Sequence, residues 1–328
     1  MKLDCLKNGY RESRRVISIQ PTMSEVANSW PVDENCLFDM DACYETFDKD
    51  GDGKLNFEEF RLICKALFRN DKGHIYPLSE ERARHIFQVF DKNGDGFIDK
   101  DEFTFCWNHW IKVIVRPISA FLIVDVQNDF ISGTLNISEC NAQQDGSEVV
   151  EPINRLLETV PFDAVFYSLD WHPPDHVSFI DNVHMRELHP SSPVVDGAVK
   201  VYKGTNPEVD SYSVFWDNKK LADTSLISQL RMRNATDIYI CGLAYDVCVG
   251  ATIADALAIG YRAVLIDDAS RGVDLADIKS TKATILNNNG VIVHSHEVAA
   301  MVDGRDRRPE LGYKLAMELK NAINDKLN

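Results

Sequence analysis

No stretch of this 328-residue chain approaches the run of about 18 apolar residues that a membrane-spanning helix needs, so no membrane partner is expected. The opening residues, MKLDCLKNGYRESRRV, hold no apolar core long enough for a secretory signal. The eight cysteines, at 5, 36, 43, 64, 106, 140, 241 and 248, include no C-x-x-C pair. Free thiols in a reducing compartment follow as the expectation, cytoplasmic and also compatible with a nucleus. Basic residues are scarce, with 35 Lys and Arg against 51 Asp and Glu and a net charge of −16. That balance disfavours nucleic acid and anionic surfaces as partners and suits the binding of cations.

What is present is enough apolar material, 45% of residues, for real cores in a chain of two-domain length. Two twelve-residue stretches nearly repeat each other, DKDGDGKLNFEE (48–59) and DKNGDGFIDKDE (91–102). Hard oxygen ligands fall at positions 1, 3 and 5, as Asp48, Asp50 and Asp52 in the first and Asp91, Asn93 and Asp95 in the second. Position 6 is Gly53 or Gly96, where the chain turns sharply. Position 7 offers the backbone carbonyl of Lys54 or Phe97. Position 12 is Glu59 or Glu102, the bidentate ligand. Position 8, Leu55 and Ile98, predicts a short pairing between the loops. Helical patterns flank both, and the unit resembles a paired EF-hand with two Ca2+ sites. It is placed at 33–116, behind an N-terminal segment, 1–32, expected to be flexible.

Residues 117–305 read differently. Apolar strands, SAFLIV, DAVFYSLDWH, AVKVY, DIYICGL, RAVLIDDA and GVIVHS, alternate with amphipathic helices, among them one predicted over 218–234. This predicts an α/β fold, a doubly wound, mainly parallel sheet covered on both faces, behind the all-α pair. Function in such sheets collects at the carboxyl ends of strands. Asp125, Asp170, His172, Lys203 and Cys248 all fall there, an acid, a metal-type pair, a cation and a thiol from distant parts of the chain. Cys248 stands where a strand gives way to a helix. The helix dipole and a nearby cation predict a lowered thiol pKa. A tail over 306–328 reads as an amphipathic helix that packs on the body or on a partner, and self-association into a homo-oligomer is left open.

The motifs DVQNDF (125–130), DWHPPDHVSF (170–179), KG (203–204), DSYSVF (210–215) and CGLAYDVCV (241–249) resemble those of the isochorismatase-like cysteine hydrolases, and most of all the nicotinamidases within them. An EF-hand pair ahead of that domain is similar to the animal members. The resemblance covers about residues 119–305. It implies hydrolysis of nicotinamide to nicotinate and ammonia in NAD salvage, through a thioester on Cys248. Asp125 would serve as general base and then acid, and Lys203 would hold the Asp–Cys pair. The N–H groups of Ala244 and Cys248 would form the oxyanion hole, with a cis peptide between Leu243 and Ala244. Phe130 and Tyr212 would line the ring pocket, although core packing accounts for Tyr212 equally well. Asp170 and His172 would bind Zn2+ or a similar divalent ion.

The chain departs from the family in one place. The family's W-P-x-H-C block, which carries a further histidine ligand, has no counterpart before Lys203. Two protein ligands are fewer than the three usual at a catalytic zinc. His176 is the substitute placed best by sequence, ahead of His184 and His189. The alternative reading is therefore a calcium-binding regulatory protein with a degenerate hydrolase domain. The 103–118 junction offers a route by which calcium would order the mouth of the site.

Overall fold

The structure is a computed structural model that describes residues 37, 39–133, 135–171, 191 and 194–327. The expected segment 1–32 lies outside them. The first unit is helical. Helix α1 (Met40–Phe47) leads into the first loop and α2 (Phe57–Leu67) leaves it, while α3 (Glu80–Phe90) and α4 (Lys100–Cys106) flank the second. Helix α4 continues through a π turn (Trp107–Ile111) into α5 (Lys112–Val115). Both exit helices start on a capping box that uses loop position 9 as N-cap and position 12 as its partner, Asn56 with Glu59 and Asp99 with Glu102. The predicted pairing forms as an antiparallel bridge, Leu55 N–H to Ile98 O and Ile98 N–H to Leu55 O, each at 2.9 Å. Gly53 and Gly96 sit at φ +80° and +86°, the left-handed region that the turn demands.

The second unit is a six-stranded parallel sheet in the order β3-β2-β1-β4-β5-β6. Its strands are β1 (Ser119–Val124), β2 (Ala164–Asp170), β3 (Val199–Lys203), β4 (Asp237–Leu243), β5 (Arg262–Arg271) and β6 (Val291–Val293). Alternate residues serve opposite faces. Phe121 and Ile123 of β1 pack with α7 (Val150–Thr159) on one side, and Ala120, Leu122 and Val124 pack with α9 (Gly250–Ile259) on the other. Between β1 and α7 comes one short helix, α6 (Asn128–Ile131). Burial on both faces explains why these strands read as continuous apolar runs.

One predicted helix is shorter than its pattern. Residues 218–225 form turns, and only Leu226–Met232 (α8) is helical. The Asp217 carboxylate collects the N–H groups of Lys219, Leu221 and Ala222, which satisfies that backbone without a helix. Helices α10 (Leu275–Asn287) and α11 (Ser295–Val302) complete the layers.

The tail forms α12 (Pro309–Leu327) and packs on the body. Ala316 is fully buried in the core of the helical unit, beside half-buried Tyr313, Leu315 and Leu319. Leu311, near its start, belongs to the core on one face of the sheet. The helical unit meets the sheet at the amino ends of the strands, where Arg262 at the start of β5 donates to Val113 O at 3.1 Å. The carboxyl ends lie about 20 Å away, at 3.3 Å per residue over a six-residue strand. The junction over 103–118 thus stands at the opposite end of the sheet from the candidate rim, and the expected direct ordering of the site mouth is not what this arrangement provides.

Gly242 is the tightest point of the sheet. It pairs with Val124 at φ +122°, and a Cβ there would stand 2.0 Å from Val124 O. Gly242→Ala is expected to cost about 3 kcal/mol or more, read as a lowered midpoint in thermal or urea unfolding.

Candidate active site

The strand order reverses direction between β1 and β4, the switch point at which open α/β sheets bind ligands. Asp125 ends β1 and adopts φ +48°, unusual for a residue with a side chain. Its neighbour Ser168 is the one polar residue inside the apolar run of β2. The Asp125 N–H donates to Ser168 Oγ at 3.1 Å, and the Ser168 hydroxyl donates back to Asp125 Oδ1 at 2.6 Å. Both residues are fully buried. Ser168 thus holds both the backbone of the left-handed turn and one oxygen of the carboxylate.

Lys203 ends β3, where it is paired in register with Asp170 of β2. An isolated lysine before glycine is ordinarily solvated, yet this one is 2% exposed. Its Nζ lies 2.9 Å from Asp125 Oδ2 and 2.8 Å from Asp170 Oδ1. It also donates to Ser211 O at 2.7 Å and approaches Cys248 Sγ at 3.5 Å. Gln127 holds the backbone of Asp170 by accepting its N–H at 2.7 Å. The predicted acid, cation and thiol thus converge, from β1, β3 and the segment after β4.

Cys248 lies in a π turn (Tyr245–Val249) that opens α9, with Val249 N–H donating to Ala244 O at 3.1 Å. The Leu243–Ala244 peptide is cis, as the resemblance implied. Thr252 donates to Cys248 O at 2.6 Å and accepts from Val214 N–H at 3.0 Å, tying the thiol-bearing turn to the loop that supplies Ser211. Asp246 braces the same turn by accepting the N–H groups of Val273 and Asp274.

The electrostatics correct one expectation. Burial pushes the Cys248 thiol well above the ordinary cysteine range. Lys203 pulls the other way, but Asp125 and Asp170 push it further up. Burial also raises Asp125, against the pull of Lys203. Burial disfavours the charge on Lys203, yet Asp125, Cys248 and Asp170 hold its ammonium well above the usual lysine range. These directions disfavour a thiolate at rest, because burial and the two carboxylates oppose the lowering expected from the helix position and the nearby cation.

Of the predicted ring-pocket residues, Phe130 is half-buried against the sheet core and Tyr212 is exposed, which removes core packing as its role. His172 and His176 lie outside the described residues. Among the described residues, no other His, Cys or carboxylate group joins Asp170 in a three-ligand metal cluster, and Asp170 is held by Lys203. These residues do not by themselves make a zinc site, and no chemical step is assigned to one. In the helical unit, by contrast, the ligand oxygens of Asp48, Asp50 and Asp52 lie within 4.8 Å of one another. Asp91 Oδ1 in the second loop is buried without a hydrogen-bond partner, as an oxygen built to meet a cation would be. That donor set fits Ca2+. Ser168, Gln127 and Ser211 were not assigned from the sequence. A lone polar residue in an apolar strand was the available signal for Ser168.

The comparisons agree with the fold. A model of the isochorismatase domain matches residues 119–298, and one of the EF-hand domain pair matches residues 38–106. The nicotinamidase of Escherichia coli (strain K12) is 34% identical over 195 residues, spanning 51% of this chain and 89% of that protein. Among solved structures, an Acinetobacter baumanii nicotinamidase pyrazinamidase superposes with a TM-score of 0.50 at 28% identity, over 55% of this chain and 98% of its own. PnC1 of L. infantum, solved in complex with nicotinate, gives a TM-score of 0.50 at 27% identity, over 56% and 95% of the two chains. The switch-point cluster therefore sits on a sheet shared with these proteins, and the chain belongs to the isochorismatase family, with an EF-hand domain pair on its amino-terminal side.

Proposed function

We propose that this protein is a calcium-binding amidohydrolase that converts nicotinamide to nicotinate and ammonia, in the salvage of NAD. The observation that carries the reading is the four-way meeting at Lys203 Nζ, with Asp125, Asp170, Ser211 and Cys248 all between 2.7 and 3.5 Å. Relatives of this domain include nicotinamidases, one of them solved with nicotinate.

The residues support a two-stage acyl transfer. Asp125 takes the proton from Cys248 as sulfur attacks the carboxamide carbon. The developing oxyanion is met by the N–H groups of Ala244 and Cys248. Collapse expels ammonia with the proton from Asp125 and leaves a thioester on Cys248. A water that gives its proton to Asp125 then attacks the thioester, releasing nicotinate and restoring the thiol. Lys203 stays charged throughout. It holds Asp125 by one oxygen while Ser168 holds the other, so the base cannot rotate away from sulfur.

The second reading, a calcium-binding regulatory protein with an inactive hydrolase domain, rests on the missing W-P-x-H-C block ahead of Lys203. Ammonia release from nicotinamide by the full chain separates the two. Turnover that Cys248→Ala abolishes, and that Asp125→Asn lowers by about a thousandfold or more, supports the amidohydrolase. No release from folded protein, with zinc supplied, supports the regulatory reading.

The raised thiol gives a second prediction. Alkylation of Cys248 by iodoacetamide, followed by mass spectrometry of its peptide, is expected to be slow at pH 7. Because burial favours the neutral thiol, the rate should climb with a midpoint above the value of about 8.5 for free cysteine. A midpoint below that value would show that Lys203 outweighs burial and the two carboxylates.

A further inference from the structure

The two helices that leave the calcium loops end on the same short stretch of chain. Glu59 lies in the first turn of α2, and Glu102 in the first turn of α4. At the far end of α2, the carbonyls of Ala66 and Leu67 accept from the buried Arg307 guanidinium, Ala66 at 3.2 Å, and Arg69 O accepts from Arg307 N–H at 2.9 Å. At the far end of α4 and its π turn, buried Trp110 donates its indole N–H to Gly312 O at 2.8 Å. Gly312 is needed for this fit, since a Cβ there would stand 2.4 Å from the Phe68 ring. From α3, His85 Nδ1 lies 3.1 Å from the Tyr313 hydroxyl, and the Arg82 guanidinium stacks 4.8 Å above the Tyr313 ring. Ala316 is wholly buried in the EF-hand core.

Amphipathic helices laid into an apolar groove are the usual targets of paired EF-hands, and calcium changes such a groove by moving the exit helices. Here α12 fills that place, and it belongs to the same chain. We infer that α12 is the built-in target of the EF-hand pair, and that calcium in the loops and the seating of residues 304–316 are thermodynamically linked. The link runs through α2 and α4, each rigid from its glutamate to its contact with the docked stretch. The docked stretch is itself joined to both units. Asp306 accepts from the Tyr76 hydroxyl of the helical unit at 3.0 Å, and Arg308 bridges Asp306 and Glu297, on α11 of the hydrolase domain, at 2.8 and 2.7 Å. Calcium thereby fastens the amino end of the sheet rather than gating the rim, and the filled groove is closed to foreign helices. The inference stands apart from the reading of nicotinamide as substrate.

Linkage is reciprocal, so both directions can be measured on the full chain. Hydrogen–deuterium exchange of peptides covering 304–320 is expected to slow about fivefold or more in calcium relative to chelator, in keeping with typical couplings. Calorimetric titration of Ala316→Glu, which drives a charge into the groove, should show calcium affinity weakened by a similar factor. Should that variant fail to fold, Tyr313→Phe, which loses only the hydroxyl contact with His85, should weaken calcium in the same direction by a smaller factor. The double variant Glu59→Gln, Glu102→Gln should abolish the exchange difference. Equal exchange in calcium and chelator, unchanged affinity in a folded variant, or no calcium binding by the wild-type chain would each overturn the inference.

Discussion

A single buried ammonium organises the hydrolase domain. Lys203 has three donor protons and four partners, so they cannot be served equally. Asp125, Asp170 and Ser211 O take the short contacts, and Cys248 is left with the longest, 3.5 Å. The ammonium thus offers least to the sulfur, in line with the upward push that burial and the two carboxylates give the thiol. Two carboxyl groups, one ammonium and one thiol are gathered here, with Asp125 and Lys203 almost wholly buried. Such a cluster is tolerable only when each charge is paired and hydrogen-bonded. Ser168, Gln127 and the loop carrying Ser211 supply those bonds, and the register of β2 against β3 brings Asp170 level with Lys203. The geometry of three strands, one loop and the thiol-bearing turn is therefore answerable to one side chain.

Much of this was legible in the residues. Alternating apolar runs and amphipathic stretches specified a covered parallel sheet, because a strand buried on both faces has no polar alternation to hide it. The loops were legible to single positions, since a twelve-residue cation cage leaves little freedom in residue type. Asp125, Lys203 and Cys248 fall at or after the carboxyl ends of strands, and it was the motif resemblance that raised Asp125 and Lys203 above ordinary polar residues. The ionisation of Cys248 could not be read. Helix position and a nearby cation are visible in a sequence, but the depth of burial and the distances to two carboxylates are properties of the packed site. The short α8 has a similar cause, for a pattern compatible with a helix lost to one aspartate that collects three backbone N–H groups. Nor did the tail's amphipathic pattern say which surface would receive it.

The two ends of the sheet carry separate features. Its carboxyl rim holds the Lys203 cluster, and its amino rim receives the EF-hand pair through Arg262 and the stretch at 304–308. The length of the strands thus stands between that cluster and the calcium-loop unit.

The return of the chain to its own beginning has a consequence during synthesis. Trp110 is made 202 residues before Gly312, its partner. Until that distant stretch emerges, the aromatic groove of the helical unit faces solvent while the whole sheet is being assembled. Closure over such a separation is slow and leaves apolar surface exposed in the interim. A ribosome-bound intermediate whose helical unit is still open and apolar is thus built into the order of the sequence, and its protection falls to whatever binds nascent chains.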